Sequence, residues 1–135
     1  MKICIERSDR MGDMILTLPI IQGIKEKNPK ASIHVVASKK NLKICQLSNL
    51  IDKTYEKTNN SSAFKQLIKC INDEKYDYYF SFSPGWFGLL LGYYSTSKFK
   101  SALILQSRYK SNIISKFWQI IFSKIFFSQL KVVNR

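Results

Sequence analysis

With 135 residues, 45% of them apolar, the chain has the size of one ordinary domain and can bury a real core. Its 22 Lys plus Arg against 9 Asp plus Glu give a formal charge of +13, which suits phosphate-rich partners: nucleic acid, an anionic membrane surface or a phosphorylated substrate. Three widely spaced cysteines, Cys4, Cys45 and Cys70, form no CxxC pair and no Cys/His cluster, which argues against a disulfide framework or a zinc site and fits a reducing cytoplasm.

Ile3 to Glu6 reads as a first strand, central in a sheet because its apolar residues are nearly continuous; the run is too short for a signal peptide. The loop that follows carries Arg7, Arg10, Gly12 and Asp13 at a strand-to-helix junction, where open α/β sheets place their ligand sites. From about Asp13 to Lys27, Ile15, Leu16, Leu18, Ile20, Ile21 and Ile24 suit a buried helix that Asn28-Pro29 stops and Pro19 bends. Ser32 to Ala37 is a β-branched second strand, Lys39 to Leu50 a short polar helix and turn, and Lys53 to Glu56 a short third strand.

After the turn signal Asn59-Asn60-Ser61-Ser62, either serine can cap a helix whose packed face is Ala63, Phe64, Leu67, Ile68 and Ile71, ending near Asn72 or Asp73. Tyr76 to Phe82 is strongly β-prone and is broken by Ser83-Pro84-Gly85. Trp86 to Tyr94 fits a short buried helix, and Lys98 to Leu105 a fifth strand. Strand and helix alternate throughout, so successive βαβ units close into a Rossmann-like parallel sheet with flanking helices.

Residues 1–108 form this unit, and residues 109–135 a separate apolar and basic terminal helix. Over Tyr109 to Val133 apolar residues lie almost all round a helix, with Lys116, Lys124 and Lys131 within roughly a quarter of its circumference. Such a helix packs on the sheet or on another part of the protein, or lies at a membrane interface; no stretch is long and apolar enough to span a bilayer.

The pattern Arg7-x-x-Arg10-x-Gly12-Asp13-x-x-Leu16-Thr17-x-Pro19 after an amino-terminal strand, followed by Asn28-Pro29-x-Ala31-x-Ile33, resembles the start of family 9 glycosyltransferases, the lipopolysaccharide heptosyltransferases. The likeness continues more weakly through Asn49-x-Ile51-Asp52, Tyr76-Asp77 and the stretch from Leu89 to Lys100. It implies the GT-B architecture, in which an amino-terminal Rossmann-like domain receives the acceptor and a second domain holds the nucleotide-sugar donor. Two such domains need roughly 300 residues, so this chain reads as the acceptor-side half, ending before the donor-binding domain.

An inverting transfer from a nucleotide sugar needs a base for the acceptor hydroxyl and cationic or N–H groups for the departing phosphate. The resemblance puts the catalytic base at Asp13; the alternative for this residue is a simple helix N-cap. Gly12 allows a tight turn and close approach of a substrate, and the helix N-terminus suits an anion. Arg7 and Arg10 have the guanidinium forks that fit acidic acceptor groups or phosphate, and Ser83, beyond the aromatic strand, faces the same cleft edge.

Thr17 and Pro19 are structural, and His34 is a satisfied core or edge histidine. The aromatic run Tyr76 to Phe82 is strand core rather than a base-stacking surface. No metal and no cofactor are expected, only a nucleotide-sugar donor of the ADP-heptose kind for the complete enzyme. The implied partners are a lipopolysaccharide-type acceptor, an anionic membrane surface and a separate carboxy-terminal donor domain; no nucleic-acid motif accompanies the charge. The implied location is cytoplasmic, peripheral at the inner membrane. Where many relatives have an acidic residue at the end of the later strand, this chain has Ser81. The second reading, from a different class, is a non-catalytic remnant or basic module that binds anionic lipid through its last helix.

Overall fold

The computed structural model describes residues 1–105, 113–126 and 129–133. The elements run β1 (Lys2–Arg7), α1 (Met11–Lys27), β2 (Ser32–Ala37), α2 (Lys39–Leu47), β3 (Lys53–Glu56), α3 (Ser61–Asp73), β4 (Tyr78–Ser81), α4 (Trp86–Tyr94), β5 (Phe99–Leu105), α5 (Ile113–Phe126) and β6 (Gln129–Val133). All strand pairs are parallel, and the six-stranded sheet has the order β3-β2-β1-β4-β5-β6. Strand order therefore reverses between β1 and β4, and a crevice opens there beyond the carboxyl ends of the strands.

β1 is central because Ile3, Cys4 and Ile5 are apolar toward both faces. Ile3 and Ile5 pack with Met14 and Ile21 of α1 and Cys45 of α2 on one face. On the other face Cys4 packs with Leu67 and Ile71 of α3 and Leu89 and Leu91 of α4, and Phe122 of α5 joins them. Right-handed crossovers thus put α1 and α2 over β3-β2-β1, and α3, α4 and α5 on the opposite side.

That division corrects two expectations. The helix read as wholly buried is not: Met14, Thr17 and Ile21 are buried, but Met11, Ile15, Leu16 and Ile20 are exposed. They lie off the packed side of α1, and no described helix covers β4 and β5 beside it. For the same reason the aromatic strand is only half core. Tyr79 and Ser81 are buried beneath α4, whereas Tyr78 and Phe80 are half-buried on the other face, stacked with each other and, through Tyr78, with the exposed Phe99.

The regular part of β4 is shorter than the Tyr76 to Phe82 run, although Asp77 N still donates to Lys2 O and Phe82 N to Glu6 O at its two ends. The continuous helix expected over 109–133 is also replaced. Its described part is α5, docked on α4 by Phe122 and Phe126 against Tyr93; residues 129–133 instead form β6 on the free edge of β5. The remainder of the expected helix, 109–112 and 127–128, lies outside the described residues. A short apolar run satisfies either period, and the open ladder of β5 decides for the strand.

Asn60, not Ser61 or Ser62, caps α3: its Oδ1 accepts from Ser62 N at 2.8 Å and from Ala63 N at 3.3 Å. Asn60→Ala is expected to lower stability by about 1 kcal/mol in urea denaturation, the usual cost of losing an N-cap. His34 is buried between partners, Tyr76 Oη at 2.6 Å from Nδ1 and Ser32 Oγ at 3.0 Å from Nε2, and burial pushes its imidazole below the ordinary value.

Candidate functional site at the strand-order reversal

β1 and β4 end side by side, so the loops that follow them meet. The loop 8–10 turns from β1 into α1, and residues 82–85 turn from β4 into α4. Neither helix has a side-chain cap at its start, and both N-termini face the crevice. Gly85 makes the second turn possible, because its φ of +138° is one that side chains rarely adopt.

Arg7 is the hub of the crevice. Its Nη1 donates to the carbonyl of Phe82, its Nη2 lies 3.5 Å from Asp13 Oδ1, and its Nε lies 3.4 Å from Asp9 Oδ1. The Nε contact is within ion-pair reach but out of hydrogen-bond alignment, which leaves one buried guanidinium donor unused. Asn41 of α2 donates to the Arg7 carbonyl at 3.2 Å and steadies the backbone from the other side. Burial pushes the Asp9 carboxyl up from its ordinary value, Arg7 pulls it back, and Asp13 adds a like charge that raises it.

The sequence-derived site residues separate into two groups. Arg7, Asp13 and Ser83 come together: Ser83 Oγ accepts from Ser8 N at 2.7 Å and reaches Asp9 Oδ1 at 3.4 Å. Asp13 is the third residue of α1, not its N-cap, and its side chain stays 27% exposed toward the crevice. Arg10 takes the N-cap position and points into solvent, apart from the Arg7 cluster. Gly12 has ordinary helical geometry, so the tight turn expected of it is absent; open space stands over it, since a Cβ there would meet nothing within 4 Å.

A cavity of about 280 Å³ adjoins this cluster, lined by Arg7, Asp13, Leu16, Thr17, Ile20, Phe82 and Leu103. It has a charged mouth and an apolar wall, made by the exposed side of α1 and the uncovered face of the sheet. Thr17 donates its hydroxyl to the Asp13 carbonyl at 2.8 Å, which fixes the first turns of α1 beside it. Among the described residues no group of three or more His, Cys, Asp or Glu could hold a metal ion.

Sequence reasoning missed Glu6. It is fully buried at the end of β1, on the α4 side, with Ser8 Oγ bonded to Oε1 and Ser81 Oγ 3.1 Å from Oε2. The signal was an acidic residue closing a strand otherwise apolar on both faces. Ser81, read only as a missing acid, is the hydroxyl partner of the acid on the neighbouring strand.

No protein-family model and no curated protein matches the chain. Solved structures do. The E. coli ADP-heptose lipopolysaccharide heptosyltransferase II superposes with a TM-score of 0.75 at 12% identity over 98% of this chain and 35% of its own. The glycosyl transferase family 9 protein from Veillonella parvula gives 0.74 at 16% identity over 96% and 35%, and the E. coli heptosyltransferase WaaC with ADP 0.72 at 12% over 100% and 42%. The chain therefore has the fold of one Rossmann-like part of these proteins and spans about a third to two fifths of their length.

Proposed function

We propose that this chain is the acceptor-side part of a glycosyltransferase of the heptosyltransferase type, in which Asp13 removes the proton from the attacking acceptor hydroxyl. The observation that carries this reading is the placement of Asp13: at the uncapped start of α1, beside the Arg7 guanidinium, on a cavity at the strand-order reversal of a fold shared with heptosyltransferases. Arg7, in the lining of the cavity, and Arg10, exposed at the cleft edge, offer guanidinium groups to carboxylate or phosphate on a lipopolysaccharide-type acceptor. Gly12 admits the acceptor close to the main chain, and Ser83 holds the opposite loop. The nucleotide sugar, of the ADP-heptose kind, would be held by a second Rossmann-like part.

The test is sugar incorporation from ADP-heptose into a phosphorylated saccharide acceptor by this chain combined with a heptosyltransferase donor half. Incorporation with both parts and none with either alone is the expected result. None in any combination overturns the reading.

A second reading concerns where the chain works. Ile114, Phe117, Trp118 and Ile125 of α5 are all more than half exposed and fall within roughly 100° of the helix circumference, flanked by the exposed Lys124. No helix among the described residues is long and apolar enough to cross a membrane. An apolar stripe beside lysine, on a chain of charge +13, supports binding to an anionic membrane surface. On this reading the protein acts peripherally at the cytoplasmic face of the inner membrane, and the same surface would serve a non-catalytic lipid-binding module.

Deleting residues 109–135 would strip α5 and β6 from the fold and so would not isolate this surface. Trp118→Asp is expected instead to weaken sedimentation with anionic vesicles by about tenfold, the loss of one buried aromatic contact. Equal binding to neutral vesicles would reject the anionic preference, and no loss in the variant would reject this stripe as the membrane surface.

A further inference from the structure

Glu6 has no role in the chemistry above, yet its surroundings are built around it. Its two carboxyl oxygens meet Ser8 Oγ, in the loop that leads to Asp13, and Ser81 Oγ, at the end of β4. Ser8 N donates to Ser83 Oγ at 2.7 Å, Ser81 Oγ also lies 3.3 Å from the Ser83 carbonyl, and Phe82 N donates to the Glu6 carbonyl at 2.9 Å. Gly88 of α4 closes the box: a Cβ there would stand 2.5 Å from Glu6 Oε2. The carboxyl is thus enclosed by β1, β4, α4 and both loops of the crevice.

We propose that Glu6 is a positioning residue, a latch that ties the junction from β1 into α1, which carries Arg7, Asp9 and Asp13, to the loop after β4 and so sets the spacing of the charged groups in the crevice. Its consequence for catalysis rests on the acceptor-side reading; the latch itself does not. Without it, the direct ties left between the two segments would be Arg7 to the Phe82 carbonyl, Ser8 N to Ser83 Oγ and Ser83 Oγ to Asp9 Oδ1.

Burial makes the latch carboxyl hold its proton more tightly than an exposed one would. The titratable groups that interact with it are Cys4 from β1, Tyr79 from β4 and Lys57 beyond β3. Tyr79 spends its hydroxyl on the Gly88 carbonyl at 2.7 Å, and Lys57 sits over the Phe87 ring. Among the described residues no cation lies within ion-pair distance of Glu6. Burial pushes the carboxyl above its ordinary value of 4.5, and the serine hydrogen bonds and Lys57 only oppose this. A protonated carboxyl supplies one donor and accepts at its other oxygen, and three rotatable hydroxyls can complete the set. Because the folded state holds the proton more tightly than the unfolded chain, the stability from this group is full below about pH 4.5 and is lost as pH rises through its folded value.

Carbon-13 NMR of the Glu6 carboxyl against pH, with hydrogen exchange at the Ser8 amide, tests the latch. Glu6 is expected to titrate above 4.5, and the Ser8 amide to shift in the same step. Glu6→Gln, neutral at every pH, should keep Ser8 protected and abolish the step. Glu6→Leu should speed Ser8 exchange about tenfold, the worth of one hydrogen bond. Should the Leu variant fail to fold, Ser8→Ala removes the same carboxyl contact at the crevice rim, and its neighbouring amide of Asp9 serves as the reporter. Titration at the ordinary value with no response at Ser8, or a Gln variant as loose as the Leu variant, overturns the proposal. No sugar enters these measurements, so their failure is distinct from failure of the transfer experiment.

Discussion

Asp13→Asn is expected to lower sugar transfer by about 10²- to 10⁴-fold in the chain combined with a donor half, the usual contribution of a positioned general base. The substitution keeps the side-chain volume and an oxygen that can still face Arg7 Nη2, now at 3.5 Å from the carboxylate, so the crevice keeps its shape. It removes only the capacity to take a proton from the acceptor hydroxyl. Acceptor affinity should therefore stay close to that of the parent while turnover collapses, which steady-state kinetics separates. Turnover retained in the variant would reject Asp13 as the base and leave it as a partner of Arg7.

Gly88→Ala carries the largest expected effect on stability. In an exposed helix interior Ala is better than Gly by about 1 kcal/mol. Here the added Cβ would stand 2.0 Å from Ser81 Oγ and 2.5 Å from Glu6 Oε2, and neither can withdraw because both are buried under α4. Overpacking of that kind costs about 3 kcal/mol, which exceeds the propensity gain and reverses its sign. Gly23→Ala is the matched control. It lies inside α1 with nothing within 4 Å of the new methyl, so it should stabilise by about 0.5–1 kcal/mol. Urea denaturation of the two variants reads opposite shifts; equal shifts would show that the Glu6 box has slack. Adding Ser81→Gly to Gly88→Ala should recover part of the loss, because the nearer clash is gone.

Much of this molecule was legible in one dimension. The alternation of apolar strands with helical periods and the Asn/Pro/Gly stops give the strand and helix order as far as β5, since those signals are local and each element satisfies its own backbone. The strand-to-helix junction that brings Arg7 and Asp13 to the edge of the sheet was equally readable. Helix boundaries shifted by a residue or two, as at Met11, where the start is set by geometry rather than by a capping side chain.

What the sequence by itself determined is the sheet's alternation, its central strand and the charged loop that follows it, because these depend on residue type and spacing. Only the tertiary structure decided which face each apolar residue occupies. Crossovers of one hand put α1 and α2 on one side and α3, α4 and α5 on the other, so Leu16 and Ile20 stay exposed beside the uncovered face of β4 and β5. The free edge of β5 likewise turned the end of an apolar run into β6, and the meeting of two loops 75 residues apart gave Glu6 its serines. Pairing partners distant in sequence leave no period behind, so neither the burial of Glu6 nor the fate of residues 129–133 could be read before the chain was folded.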